Sequence, residues 1–209
     1  MLPGMLPEML PTEIIVMEPH DDEDPIPLPA NLIQPANSIS QVGAGVSWNN
    51  LDNGKVLSGG YATTVSNVWE PGNPPKPLAL GFDLSTLPDN AVITNIRVKY
   101  LHWCTQDEWQ NPYGNAIIKL TAGGVVGTAI VSPVYSHTQT FVLTEVAEGG
   151  DINAYWANEG DLAYWGLNGV SVADIKSSLL FNFSISGNDE NLFNLIRFDG
   201  AEIIITYTA

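Results

Sequence analysis

The amino-acid sequence predicts an all-β protein, a two-sheet antiparallel β-sandwich preceded by an extended, proline-rich N-terminal arm. Beyond about residue 40, short segments of alternating apolar and polar residues are separated by Gly, Asn, Asp and Pro, and no long stretch follows the helical period. The 209 residues are 44% apolar and 14% charged, which is typical of a globular chain with one sizeable core. Residues 1–40 differ in composition, so we divide the chain into an arm, 1–40, and a sandwich domain, 41–209.

The arm contains eight prolines and seven acidic residues but no Lys or Arg. It opens with a tetrapeptide repeated three times, and proline at every fourth position favours an extended path that displays apolar pairs at intervals. A β-favouring run follows, which could pair with a sheet edge on another chain. We predict that the arm docks on a partner, and the alternative is a solvated tail. The predicted docking residues are Met1, Leu2, Met5, Leu6, Met9, Leu10, Ile14, Ile15 and Val16.

The clearest strand lies at residues 179–186, where Leu179, Phe181, Phe183 and Ile185 share one face and polar residues occupy the other. Residues 95–100 and 202–207 alternate in the same way, and weaker strands are expected at 60–65, 77–83, 116–122 and 138–143. One shared core is therefore expected between the two sheets. Its predicted members are Leu179, Phe181, Phe183, Ile185, Ile96, Val98, Ile203, Ile205 and Trp165, with Trp48 and Trp156 also assigned to the core.

Two short helices and one turn complete the predicted elements. Asp151 is placed to cap a helical turn at 152–158 that Gly160 would close, and Ser171 with Asp174 forms a capping box. The glycines of 123–127 predict a β-turn with a bulge rather than a phosphate-binding loop.

The charge balance disfavours two classes of partner. Seven Lys and Arg against 23 Asp and Glu give a formal charge of -16, which repels nucleic acids and anionic membranes. The first basic residue is Lys55, and the longest uncharged apolar stretch, 120–131, is too short for a spanning helix, so neither a signal peptide nor a transmembrane segment is expected. A single cysteine, Cys104, cannot form an intramolecular disulfide.

Residues that could support catalysis or metal binding are scattered. No hydrolase, metalloprotease or nucleotide-binding motif is present, and the adjacent Asp107 and Glu108 would face opposite ways on a strand. We therefore predict no enzyme activity, no cofactor and no metal. The weaker alternatives are a zinc site built from His20, His102, His137 and Cys104, and a structural calcium site in one of two oxygen-rich loops. Those loops contain Asp151, Asn153, Asn158, Glu159 and Asp161, or Asn188, Asp189, Glu190 and Asn191.

Aromatic residues in two long connections suggest a small-ligand site. Trp103, Trp109 and Tyr113 lie within one connection, and Trp69 lies in a proline-rich loop. Exposed aromatic rings stack on sugars, so these four residues are candidates for glycan binding. The alternative is that they pack their own loops or a subunit interface.

Several segments together resemble a jelly-roll module of tailed-bacteriophage virion proteins. They are 48–54 with 60–62, 80–98, 165–167 with 171–175, and the closing 203–207, and the resemblance covers about residues 45–209. The long segment 102–115 and the arm depart from that pattern. The resemblance implies a non-enzymatic virion protein, and with the arm it predicts capsid decoration or cement that binds neighbouring capsid subunits as a homo-oligomer, with a trimer favoured. The alternative is a carbohydrate-binding or receptor-binding module of a phage tail appendage or adhesin.

Overall fold

The computed structural model describes residues 27–57, 60–64, 74–104, 115–133, 144–146, 154–186 and 196–209. The all-β prediction is confirmed, because these residues form twelve strands, one 3-10 helix at Leu51–Gly54 and one α-helix, α1, at Val172–Ser178. The strands are β1 (Ala30–Gln41), β2 (Trp48–Asn49), β3 (Ala62–Thr64), β4 (Leu78–Phe82), β5 (Val92–Cys104), β6 (Asn115–Ala122), β7 (Val125–Val126), β8 (Ile130–Pro133), β9 (Thr144–Val146), β10 (Ala154–Gly160), β11 (Leu180–Ser186) and β12 (Ile196–Thr208).

The strands form one hydrogen-bonded sheet rather than the two separate sheets that the sequence predicts. Its order is β7-β6-β11-β4-β1-β12-β5-β10-β9, with β8 also paired to β6 and the β2–β3 pair joined to β12. All neighbours are antiparallel except β10 and β9. The two halves remain connected because β1 pairs through 30–35 with β12 and through 36–41 with β4.

The sheet curls so that its halves face each other across the core. The rings of Tyr100 on β5 and Phe181 on β11 lie 5.4 Å apart, although three strands separate β5 from β11 in the sheet order. In a flat sheet, four spacings of about 4.8 Å would place them roughly 19 Å apart. Phe183 on β11 and Phe198 on β12 lie 4.7 Å apart, which also requires a sandwich-like arrangement.

The predicted core is confirmed. All nine residues that the alternation assigned to it are buried in one cluster, and Trp48 is buried with them. Trp156 lies on β10, but its side chain is outside the described part of the structure.

Three of the four weaker strands are observed, as β3, β4 and β6, and 138–143 lies outside the described residues. The turn at Gly123-Gly124 joins β6 to β7 with φ of 57° and 77°, which glycine adopts without strain. The Ser171 cap is also confirmed, since its hydroxyl accepts a hydrogen bond from the backbone N–H of Asp174 at 3.1 Å.

The helical turn predicted at 152–158 is wrong. Residues 154–160 form β10, which pairs with β5 from Trp156 opposite Tyr100 to Gly160 opposite Ile96. A run rich in aromatic residues fits a half-buried strand, and pairing with β5 outweighs the weak capping signal. Asp151 itself lies outside the described residues.

The predicted start of the sandwich domain, residue 41, lies eleven residues after the start of β1 at Ala30. Residues 30–40 belong to β1, in the middle of the sheet, so the folded body begins at Ala30. Pro35 does not break this strand, because it is the last residue paired with β12 before β1 changes neighbour. The nine residues predicted to dock on a partner precede the described chain.

Candidate functional site

The candidate site is the place where the chain enters the sheet, which we call the arm base and define as residues 27–33. Ala30 pairs with Tyr207 on β12, and the Thr206 hydroxyl donates a hydrogen bond to Asn31 Oδ1 at 2.8 Å. Leu28, just before the first pair, is 86% exposed. The preceding segment therefore joins the body through the part of β1 that pairs with β12.

The surface beside the arm base is formed by the outer face of β12, β5 and β10. Arg97 Nε lies 3.4 Å from Glu159 Oε2, and Lys99 Nζ lies 3.2 Å from Glu202 Oε1. These cross-strand pairs set opposite charges side by side, which favours this strand register. The charges on this face are largely balanced within the chain, unlike those of the acidic arm.

The strand register shows which residue lies opposite Trp103, one of the four glycan candidates. The backbone of Trp103 on β5 lies opposite Arg197 on β12, and the Arg197 guanidinium lies 4.4 Å from the centroid of the Tyr61 ring. That distance is within the range of a cation–π contact. The side chain of Trp103 is not described, and Trp69, Trp109 and Tyr113 lie outside the described residues.

Sequence reasoning missed the contact between Tyr61 and Arg197. The two residues are far apart in the chain, and they meet because β3 pairs with β12, placing Thr63 opposite Arg197. No local sequence pattern links the two residues, so only the strand register could have revealed the contact.

The first oxygen-rich loop does not form a calcium site from its described residues. Asn158 is buried and accepts a hydrogen bond from the Tyr100 hydroxyl at 3.2 Å, whereas Glu159 is exposed and pairs with Arg97. Asp161 accepts a hydrogen bond from the backbone N–H of Tyr164 at 2.8 Å. Adjacent strand residues face opposite sides of a sheet, so Asn158 and Glu159 cannot share a cation. Asp151, Asn153 and residues 188–191 lie outside the described part.

The residues considered for zinc are only partly described. His102 is buried, with its ring 5.7 Å from Tyr100 and 5.1 Å from Phe183, as expected for a core residue. His20 and His137 are outside the described residues, as are Asp107, Glu108 and the side chain of Cys104. Within the described ranges, no three His, Cys, Asp or Glu residues are grouped as metal ligands would be.

A shallow pocket of about 200 Å³ lies between β1, β4 and the end of α1. Two of its serines donate to helix carbonyls, Ser177 to Ala173 at 2.8 Å and Ser178 to Asp174 at 2.7 Å. A catalytic serine instead needs a base beside it to accept its proton. These hydroxyls therefore complete the helix end rather than form a nucleophilic site.

Two exposed carboxyl groups near the turn after β4 have lowered pKa values. The pKa of Asp89 lies below its usual value because Lys176 donates a hydrogen bond at 2.5 Å and adds a positive charge. The pKa of Asp83 is also lowered, by hydrogen bonds from the side chain and the backbone N–H of Ser85. Both shifts favour the charged form at the surface and stabilise local structure.

No protein-family model matches the chain, and a search of curated proteins finds no match. In the described residues, no helix combines the length and the apolar character needed to cross a membrane.

Proposed function

We propose that this chain is a non-enzymatic structural protein of a tailed-phage particle, most simply a capsid decoration or cement protein whose N-terminal arm docks on neighbouring capsid subunits. The observation that supports this role best is the position of β1. The strand that follows the arm connects the two halves of the sheet, because its first half pairs with β12 and its second half pairs with β4. A docked arm would therefore be connected to the strand that joins both halves of the body.

The chemistry of the arm fits attachment. Met1, Leu2, Met5, Leu6, Met9 and Leu10 are six large apolar side chains that come before the folded body. Each gains about 1.5–3 kcal/mol on burial, whereas fixing a residue costs about 1–2 kcal/mol and less where proline already restricts the chain. Burial of these side chains in an apolar groove on a partner would therefore offset much of the cost of ordering the repeat.

The acidic run of the arm defines a second part of the interface. Residues 18–24 contain Glu18, Asp21, Asp22, Glu23 and Asp24 and no basic residue. The partner surface would be basic or lined with cations at that point. Added salt should weaken this part of the contact but leave the apolar part in place.

Deletion of residues 1–26 tests the proposal, because it removes the arm but keeps every residue of β1. The truncated protein should melt like the full chain, while its incorporation into particles and the heat resistance of those particles should fall. The matched control for chain length is a full-length variant in which all six Met and Leu residues of the repeat are changed to Ser. Truncated protein that assembles and protects as well as the full chain would overturn the proposal.

A carbohydrate-binding role in a tail appendage is the second candidate, and the contact between Tyr61 and Arg197 favours it. Exposed aromatic rings can stack on sugars, and Trp103, one of the candidates for such stacking, lies across from Arg197 in the strand register. Trp103→Ala and Tyr61→Ala should abolish signal on a glycan array without lowering the melting temperature. An array without hits for the intact protein would remove this candidate.

A further inference from the structure

An Asn-Gly pair lies in a tight surface turn between β10 and α1. Asn168 and Gly169 are the two central residues of this turn, which the N–H of Val170 closes by donating to the Leu167 carbonyl at 3.1 Å. Both central residues are exposed. Gly169 has a φ of 79°, which glycine adopts without strain. In the described part of the chain, no heavy atom beyond its chain neighbours lies within 4 Å of the position that a Cβ on Gly169 would occupy.

We propose that this turn is a site of spontaneous modification, at which Asn168 is converted to aspartate and isoaspartate. The main-chain nitrogen of Gly169 attacks Cγ of Asn168, and its proton leaves with Nδ2 as ammonia, which closes a succinimide ring. Glycine favours this step because no side chain shields its nitrogen. Water then opens the ring. Addition of water at Cγ gives aspartate, and addition at the main-chain carbonyl carbon gives isoaspartate, in which the main chain runs through Cβ and Cγ.

The hydrogen bonding of the turn leaves the attacking nitrogen able to move. The bond that closes the turn uses the N–H of Val170 rather than the N–H of Gly169. Bringing the Gly169 nitrogen onto Cγ of Asn168 therefore requires only the local opening of an exposed turn. Openings of this kind cost little free energy in comparison with global unfolding.

The other Asn-Gly pair of the sequence, Asn53-Gly54, is held in place by its surroundings. Asn53 is exposed as well, so exposure does not distinguish the two sites. Its N–H donates to the Asn50 carbonyl at 2.9 Å within the 3-10 helix. Gly54 is buried, and a Cβ on it would lie 3.0 Å from Cβ of Ala62 on β3. Ring closure at Asn53 therefore requires the 3-10 helix to separate from β3, and we expect it to be at least about tenfold slower, which corresponds to about 1.4 kcal/mol of local opening.

The products would alter the link between β10 and α1. Isoaspartate adds one carbon to the main chain between Leu167, which is fully buried, and Val170, which packs against the core. Both products also add one negative charge at neutral pH to a chain whose formal charge is -16. Anion-exchange chromatography therefore separates the modified protein from the unmodified protein.

Incubation of the folded, full-length protein in warm, mildly alkaline buffer tests the proposal, because alkali removes the proton from the attacking nitrogen. Samples taken over time are separated by anion exchange and digested, and fragment mass spectra locate each amide that has become a carboxyl group. A species with one added charge should accumulate, with the change at residue 168 and with both aspartate and isoaspartate present.

Three variants of the full chain serve as references. Asn168→Asp marks the elution position of the singly charged product. Asn168→Gln should suppress this species, because its longer side chain closes a larger ring and reacts far more slowly. Asn53→Gln is the matched control and should accumulate the species as the unmodified chain does.

The same incubation in concentrated urea removes the effect of the fold. Both Asn-Gly pairs should then react at similar rates, and Asn53 should react faster than it does in the folded protein. An Asn168 that stays intact in the folded protein would overturn the inference, as would an Asn53 that reacts there within about tenfold of the Asn168 rate. An equal gap between the two sites in urea would also overturn it, since the gap would then arise from the sequence and not from the fold.

Discussion

Phe183 is the residue whose removal tests the curled sheet most directly. Phe183 is on β11, and its ring lies against the opposite half of the sheet: the centroid is 4.7 Å from Phe198, 5.1 Å from His102 and 6.5 Å from Trp48. The residue is fully buried on β11. Phe183→Ala would leave a cavity where the two halves of the sheet meet.

The expected loss of stability is about 3–5 kcal/mol, because the substitution removes buried ring area and leaves a cavity that the surrounding strands fill only in part. Edge-to-face and tilted ring pairs add about 0.5–1.5 kcal/mol each, which places Phe183 in the upper part of that range. Since domains of this size are stable by about 5–15 kcal/mol, the variant should unfold at a much lower urea concentration.

Urea denaturation followed by tryptophan fluorescence measures the effect, because Trp48 and Trp165 are buried in the same core. Leu180→Ala is the matched control, since Leu180 is on the same strand but faces outward and is 37% exposed. A loss of less than about 1 kcal/mol for Phe183→Ala, or an equal loss for Leu180→Ala, would refute the assignment of faces on β11.

Three further substitutions test local features. Trp165→Phe removes the hydrogen bond from Nε1 to the Ile96 carbonyl at 2.8 Å and should cost about 1–3 kcal/mol in the same urea assay, and an unchanged midpoint would contradict the role of that bond. Ser171→Ala removes the cap of α1 and should cost about 1 kcal/mol, whereas Ser171→Thr keeps the hydroxyl and should restore most of it. Asp89→Asn should destabilise slightly at neutral pH, where the carboxylate accepts from Lys176. Because the pKa of Asp89 is lowered in the folded state, this stabilisation is complete above the usual value of 3.8 and disappears as pH falls through the folded pKa. A stability difference between the Asp89→Asn variant and the unmodified protein that persists in strong acid would refute the pairing.

The strands and the core could be predicted from the sequence because both depend on local alternation. Phe181, Phe183 and Ile185 are separated by polar residues, and one face of a strand must then be apolar whatever its neighbours are. The Ser171 cap is local in the same sense, since the hydrogen-bonding partners are three residues apart. Sequence patterns that involve only residues a few positions apart depend on backbone geometry and can be interpreted without knowledge of the fold.

The single curled sheet could not be predicted, because it depends on which strands pair. No local pattern shows that β1 divides its length between β12 and β4, or that β10 pairs with β5. The run at 154–160 contains signals for both a helix and a strand, and only its partner decides between them. The contact between Tyr61 and Arg197 was missed for the same reason.

The position of β1 also determines how the proposed attachment would fail under load. The strand has registered partners from Ala30 to Pro35 on β12 and from Ala36 to Gln41 on β4, so separating it from the body requires loss of pairing on both sides. In the predicted contact between the arm and a partner, each apolar side chain would contribute about 1.5–3 kcal/mol. These contacts can break one after another, whereas a small domain unfolds cooperatively. We therefore expect a pulled subunit to release its partner while its own sheet stays folded, so that an attachment made by the arm can form again.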